Sequence, residues 1–425
     1  MRTVGFGSPS IRIARPIPGS PTASPCVPGR SIRARAAALW AAALVTLASC
    51  AALQAPPAGL HPVPDPAARD WSDQGDPASL NAAIEQSIRY YRQLAPGTPF
   101  VYGDVTYSPA EMIESLELFR SLLDDRGTLA EGLARDFLVF ETVAPGGTNL
   151  ITGYYVPVID GAREPTERLD VPLFARPQGL IEVRLERFAP DLPARRLMGR
   201  IEGNELVPFY SREEIQEQAA LAGVAEPLAY VNQVDLFFLQ IQGSGIVRLP
   251  DGEAMAVGYA ATNGHPYRSL GAELIRRKAM QREQVTLQSI RAYLAEHPDE
   301  VRSLLYTNPS YIFFRPVTEG PLGNIQVPLT AGRSLAMDDR LVPKGGLAYF
   351  EVEVPVRDDL SMTRTVRRFA LVQDTGGVIK GHGRADIFWG EGESAEWIAG
   401  HLKHPGRLFL LVARKDALRS FSARN

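Results

Sequence analysis

The feature that most constrains the fold is an apolar run that stops abruptly and then resumes. Phe369-Ala370-Leu371-Val372-Gln373 ends in Asp374, Gly376 and Gly377 follow, and apolar side chains return at Ile387-Phe388-Trp389 directly after Asp386. An apolar run this short, bounded by turn residues, reads as a buried strand. Gly376 and Gly377 permit a sharp turn or a positive φ. A carboxyl group beside apolar bulk is desolvated, so its charged form is disfavoured and its pKa rises. A carboxylic acid that stays protonated near neutrality is a proton donor for a glycosidic oxygen. Trp389 next to it offers a flat face for a sugar ring. Taken alone, the segment also fits a plain turn with aspartates bonded to backbone amides.

The rest of the chain sets this segment in a mainly β context with several helices. Asp76-Pro77 predicts a helix start, with Leu80, Ile84, Ile88 and Tyr91 at helical spacing. Ser108-Pro109-Ala110-Glu111 predicts a capping box with Pro at the first helical position. A third amphipathic piece covers Leu129 to Phe137. Strands are expected at Leu150–Val158, Leu180–Phe188, Leu236–Ile241, Ile246–Leu249, Leu347–Val354 and Leu408–Val412. Helices are expected at Leu270–Met280, Leu287–Glu296 and Ala395–Leu402.

The N-terminal end reads as an export signal rather than fold. In SIRARAAALWAAALVTLASC, residues 31–50, Arg33 and Arg35 precede an apolar stretch from Ala36 to Leu47 that is too short to span a bilayer stably. Leu47-Ala48-Ser49-Cys50 resembles a bacterial lipobox. Cleavage before Cys50 would remove residues 1–49 as a lipoprotein signal peptide and leave Cys50 to carry lipid. Residues 50–77, rich in Pro, Ala, Gly and Asp, are expected to form a flexible tether. Ala51 after the lipidated cysteine is compatible with the periplasmic face of the outer membrane.

Cleavage also changes the charge balance. The removed segment holds six arginines and no acidic residue, so the formal net charge moves from −3 to −9. That argues against a nucleic-acid partner. The only two cysteines are Cys26 and Cys50, which leaves no disulfide framework and no thiolate metal site after processing. His401 and His404 sit three apart without a third ligand at a recognisable spacing, so no metal is expected. Neither a P-loop nor a dinucleotide fingerprint occurs, and no cofactor is inferred.

Several segments share a high density of Gly, Tyr, Asn, Gln and Asp: Thr152-Gly153-Tyr154-Tyr155-Val156-Pro157, Gln242-Gly243-Ser244-Gly245, Tyr259 to Arg268, Asn308 to Pro316, and Asp374 to Gly390. Together they resemble the membrane-bound lytic murein transglycosylase A family. Asp338, Asp374 and Asp386 resemble the pattern of its C-terminal three-aspartate (3D) domain. The resemblance implies a double-psi β-barrel with a second β-domain inserted into it and a glycan groove between them. The barrel would comprise 78–157 and 313–425, and the insert 158–312. It further implies a peptidoglycan lytic exotransglycosylase that cleaves the β-1,4 bond between N-acetylmuramic acid and N-acetylglucosamine, leaving 1,6-anhydromuramyl ends. The family's catalytic aspartate falls on Asp386.

Elementary chemistry fits that assignment. An intramolecular transglycosylase needs no water-activating base, because the muramyl C6 hydroxyl attacks its own C1. One carboxyl can donate a proton and then take one back. Asp374 and Asp338 are then supporting residues, acting as like charges or binding backbone amides. Thr152, Gly153, Tyr154, Tyr155, Gln242, Gly243, Ser244, Lys380 and Trp389 are candidates for binding glycan. Tyr154 and Tyr155 point to opposite faces if they lie on a strand, so only one would line the groove. Without the resemblance, Gln242 to Gly245 reads as a hairpin turn. Lys380 and Arg384 could meet substrate carboxylates or be plain surface charges. Two rivals stand beside this reading. One is an inverting hydrolase using Asp374 and Asp386. The other is a non-enzymatic glycan-binding lipoprotein. Expected partners are peptidoglycan strands, the membrane through Cys50, and cell-wall enzyme assemblies.

Overall fold

The structure is a computed structural model that describes residues 57–124, 126–357 and 359–424. The expected signal peptide and Cys50 lie outside the described residues. Eight strands form the principal sheet: β1 (Gly59–Pro62), β2 (Phe137–Val143), β3 (Asn149–Val156), β4 (Ser334–Ala336), β5 (Leu347–Val356), β6 (Asp359–Asp374), β7 (Arg384–Glu391) and β8 (Lys403–Ala413). Their order is β1-β2-β8-β5-β6-β4-β7-β3, and β3 pairs back onto β8. Six strands therefore close into a barrel of the double-psi type, which removes the sheet's edges there. Two pairs are parallel, β4 with β6 and β3 with β7. The remaining pairs of the ring are antiparallel.

Side chains alternate across these strands, and the inward set forms the main core. Ile151, Leu335, Ala348, Phe350, Ala370, Val372, Ala385, Ile387, Leu402 and Leu410 are buried in it. The flanking helices start where the sequence places them. Asp76 caps α1 (Pro77–Arg92) by accepting from the amides of Ala78 and Ser79. Ser108 and Glu111 form the capping box of α2 (Pro109–Leu122). Such caps contribute about 1 kcal/mol each, and the buried Leu80, Ile84, Ile88 and Tyr91 fix α1 to the barrel.

The tether reading of residues 50–77 fails for its described part. β1 pairs with β2, and Trp71 is only 4% exposed. The Trp71 ring meets Tyr349 edge-on at 5.0 Å, and its Nε1 donates to Pro66 O at 2.8 Å. Arg69 pairs with Glu351 at 2.9 Å, and Asp73 forms a buried ion pair with Arg333 at 2.6 Å. The Pro-rich composition hid this strap. The signal was on its target instead, because Tyr349, Glu351 and Glu353 alternate along β5 and the strap covers the first two.

Between β3 and β4 the chain builds a second six-stranded sheet, in the order 312–316, 254–262, 244–248, 158–162, 227–231 and 171–174. A single bridge between Ala175 and Phe314 joins its two ends. Its own core holds Leu173, Phe174, Leu236, Leu239, Val247, Tyr311 and Phe313. The expected strand Leu236–Ile241 is instead helix α3, Gln233–Gln242, capped by the Asn232 side chain. The apolar run misleads because it is buried on two sides. Leu236 and Leu239 enter the sheet's core, whereas Phe237 and Phe238 enter a separate helical cluster with Leu274 and Leu294. A short run buried all round carries no period that separates strand from helix.

Candidate active site

Strand register brings the acidic residues together. Ala336 on β4 is opposite Asp374 on β6 and Asp386 on β7. Asp386 is in turn opposite Thr152 on β3, and Thr152 is opposite Lys403 on β8. Residues that pair across strands share a face. The site therefore lies where the two parallel pairs meet through β4, and it is assembled from segments more than 200 residues apart.

Each aspartate has a different environment. Asp338 is buried and fully engaged. Arg340 donates to it at 2.9 and 2.6 Å, and the Gly381 amide donates at 2.8 Å. Those donors, the Arg340 side chain first, hold its carboxyl well below the usual carboxylate range. Its work is to fasten the glycine-rich loop between β6 and β7 to the end of β4. Asp374 accepts from Tyr154 Oη at 2.9 Å, from the Asn324 amide at 2.9 Å and from the Thr375 amide at 2.8 Å. Burial nevertheless pushes it up to about 6, against the lowering effect of these donors.

Asp386 is the exception. Its Oδ1 is buried yet finds no hydrogen-bond partner among the described residues. The nearest cation, Arg384 Nη2, stands 3.9 Å away, and the side chain as a whole is 19% exposed. Burial pushes its carboxyl up to about 6; Arg384 opposes the shift and Asp374 adds to it. The apolar bulk responsible is not the sequence neighbour Ile387, which alternates into the barrel core. It is a separate cluster of Tyr154, Val156, Ala336 and Phe388. The Tyr154 and Phe388 rings lie 5.3 Å apart.

The other predicted residues fall into distinct places. Tyr154 turns its hydroxyl to Asp374, whereas Tyr155 is buried on the other side of β3. The Tyr155 amide donates to Gln242 Oε1 at 3.1 Å, which ties β3 to the end of α3. Gln242 to Gly245 is not a hairpin turn. Gly243, at φ +80°, ends α3, and Ser244 starts the next strand. A Cβ on Gly245 would lie 3.0 Å from Pro157 O and 2.2 Å from Leu239 Cδ1, so this glycine permits close packing of the α3–strand junction. Trp389 packs across Gly153, where a Cβ would lie 2.7 Å from the indole nitrogen. Lys380 is exposed on the loop that Asp338 fastens. Arg384 is no free surface charge, because it donates to Leu150 O at 3.0 Å and to Thr152 Oγ1 at 3.3 Å. Sequence reasoning missed Asn324, Ala336 and Arg340. Asn324 acts through a loop amide and Ala336 through backbone register, which leave no local motif. Arg340 acts through its side chain on Asp338, two residues before it, so its spacing was the one local signal available.

Comparison with known proteins agrees with this geometry. Residues 150–315 match the MltA specific insert domain, and residues 333–412 match the 3D domain. Membrane-bound lytic murein transglycosylase A of Escherichia coli (strain K12) is 31% identical over 282 residues, covering 65% of this chain and 69% of that protein. Its Vibrio cholerae counterpart is 32% identical over 269 residues, covering 62% and 66%. The crystal structure of a membrane-bound lytic murein transglycosylase from Agrobacterium tumefaciens superposes with a TM-score of 0.69 at 29% identity, covering 85% of this chain and 99% of that one. E. coli MltA with bound chitohexaose superposes with a TM-score of 0.62 at 28% identity, covering 84% and 95%. The chain belongs to the membrane-bound lytic murein transglycosylase A family.

Proposed function

We propose that this protein, a lytic transglycosylase of peptidoglycan, cleaves the β-1,4 bond between N-acetylmuramic acid and N-acetylglucosamine with Asp386 as its single acid/base. The observation that carries this reading is the contrast between the two raised carboxyls. Asp374 has both oxygens occupied by protein donors, whereas Asp386 keeps a desolvated oxygen without a partner. A group that must exchange protons with substrate needs a free oxygen, and a general acid works best with a pKa near the operating pH.

The reaction then runs in two proton transfers. Protonated Asp386 gives its proton to the glycosidic oxygen as the bond from C1 to that oxygen breaks. The C6 hydroxyl of the same muramyl residue attacks C1, and its proton passes to the Asp386 carboxylate. The acid is restored, a 1,6-anhydro ring closes and no water is consumed. The neighbouring hydroxyl acts at a high effective concentration, so a second, water-activating carboxylate is unnecessary. In this reading Asp374 and Asp338 hold the frame. The barrel half, expected at 78–157 and 313–425, gains the strap before Pro77 and yields the strand Ile312–Pro316 to the inserted half, which faces it across the glycan groove. Thr152, Tyr154 and the Gln242–Ser244 junction lie along its wall, with Lys380 at the loop side; Gly153 and Trp389 pack on each other and give that part of β3 its backing instead. A lipid at Cys50 would hold the protein at the periplasmic face of the outer membrane, within reach of other cell-wall enzymes.

The test is Asp386→Asn assayed on purified peptidoglycan for both binding and cleavage. The reading expects binding retained and muropeptide release lost by at least about a hundredfold. Cleavage near the wild-type rate would refute it. Binding without cleavage in the wild type as well would identify a glycan-binding lipoprotein.

A further inference from the structure

Asp338 and Asp386 each have an arginine two residues away, and the two pairs are built differently. Arg340 closes on Asp338 with two bonds of 2.9 and 2.6 Å. Arg384 lies on the same strand face as Asp386, yet its guanidinium is drawn sideways to β3. Nη1 donates to Leu150 O at 3.0 Å, and Nη2 donates to Thr152 Oγ1 at 3.3 Å. That same Nη2 stops 3.9 Å from Asp386 Oδ1. The gap is beyond hydrogen-bond reach but within the range at which opposite charge stabilises a carboxylate.

We infer that Arg384 is a positioning residue for the transglycosylase reaction, held off Asp386 by Thr152 and Leu150 so that one carboxyl serves first as acid and then as base. This rests on the reading of Asp386 as the acid/base. A closed pair like that at Asp338 would keep Asp386 ionised and abolish proton donation. With no cation nearby, the carboxylate left by the first transfer would be too poorly stabilised, and Asp386 would be a weaker acid. The withheld guanidinium avoids both extremes.

Other charged and titratable groups around β7 do not fill this role. Across β4, Asp374 is of the same charge, and Tyr154 on β3 is committed to Asp374. Lys403 on β8 is exposed and lies one strand beyond Thr152. On the helix Glu393–His401, which packs over β3 and β7, Glu393 pairs with Arg357 and Glu396 faces Arg291. His401 Nδ1 meets Trp397 O at 2.8 Å.

The test is the pH dependence of kcat/KM for soluble muropeptide release. Arg384→Gln should move the alkaline limb upward by about one pH unit and lower the plateau several-fold. Arg384→Lys restores the charge and should return the limb towards its wild-type position. Thr152→Val removes one anchor, lets the guanidinium approach Asp386, and should move the limb downward. An unmoved limb in a folded Arg384→Gln protein, whatever its rate, overturns the inference. If that variant does not fold, an unmoved limb in Thr152→Val does so. An active Asp386→Asn protein would instead overturn the acid/base assignment itself, so the two failures are distinguishable.

Discussion

Replacing Asp374 with Asn removes a like charge near Asp386 while preserving its frame. Asn Oδ1 still accepts from the Asn324 and Thr375 amides, and the new amide group can donate to the Tyr154 oxygen. Asp374 and Asp386 both lie opposite Ala336, so their Cα atoms stand two strand spacings apart, about 10 Å. At an effective dielectric of about 20, two full charges at that distance repel by about 1.7 kcal/mol, or about 1.2 pH units. Asp374 itself is pushed up to about 6, so it is only partly charged where Asp386 titrates. The expected displacement is therefore about 0.5–1 unit, and the two groups titrate as a coupled pair. Its sign is fixed. Without the neighbouring charge the Asp386 carboxylate is more stable, its pKa falls, and the protonated form disappears at lower pH. The alkaline limb of the rate profile should move down, with about a three- to tenfold loss on that limb and little change on the acid side. Initial rates of muropeptide release from purified peptidoglycan, between about pH 4.5 and 8.5, measure this directly. A limb that stays put or moves upward, or a loss uniform across pH, would refute the electrostatic reasoning.

Two further predictions concern stability. Asp386 has a folded-state pKa raised above its ordinary value, so the native state holds its proton more tightly. Ionisation therefore costs stability as pH rises from about 4 to about 6. Asp386→Asn should consequently be more stable than wild type by up to about 3 kcal/mol above that window, with the gain vanishing below it; urea unfolding at both ends checks the sign. Trp71→Ala removes a buried indole that meets Tyr349, Phe369 and Phe409. It should cost about 3–5 kcal/mol in urea unfolding, whereas a cost below about 1 kcal/mol would make the strap a detachable tether after all.

Much of the site was legible in the sequence because its residues announce themselves locally. Asp374 ends an apolar run, Asp386 precedes an aromatic pair, and Ser108 and Asp76 carry capping patterns that need no tertiary information. What escaped was set by register and distant packing. Nothing near Asp386 in the chain shows that its dry wall comes from Tyr154 and Ala336 rather than Ile387. Nor does the sequence show that Arg384 is withheld by Thr152, because that depends on β3 and β7 pairing in parallel across more than 200 residues. The strap was hidden for a related reason. Its composition is that of a linker, and only Tyr349, an aromatic on the otherwise acidic face of β5, hints that something covers that face. The run Leu236 to Leu239 failed differently, since burial in two cores erased the period that would have marked a helix.

The most direct test of the central claim is digestion of purified peptidoglycan in ¹⁸O-labelled water, followed by mass spectrometry of the released muropeptides. A single acid/base at Asp386, with the muramyl C6 hydroxyl as nucleophile, predicts 1,6-anhydro products one water lighter than hydrolytic ones, with no ¹⁸O incorporated and no reducing end. Reducing muropeptides that carry ¹⁸O at C1 would contradict it and return Asp374 and Asp386 to the roles of a hydrolytic pair.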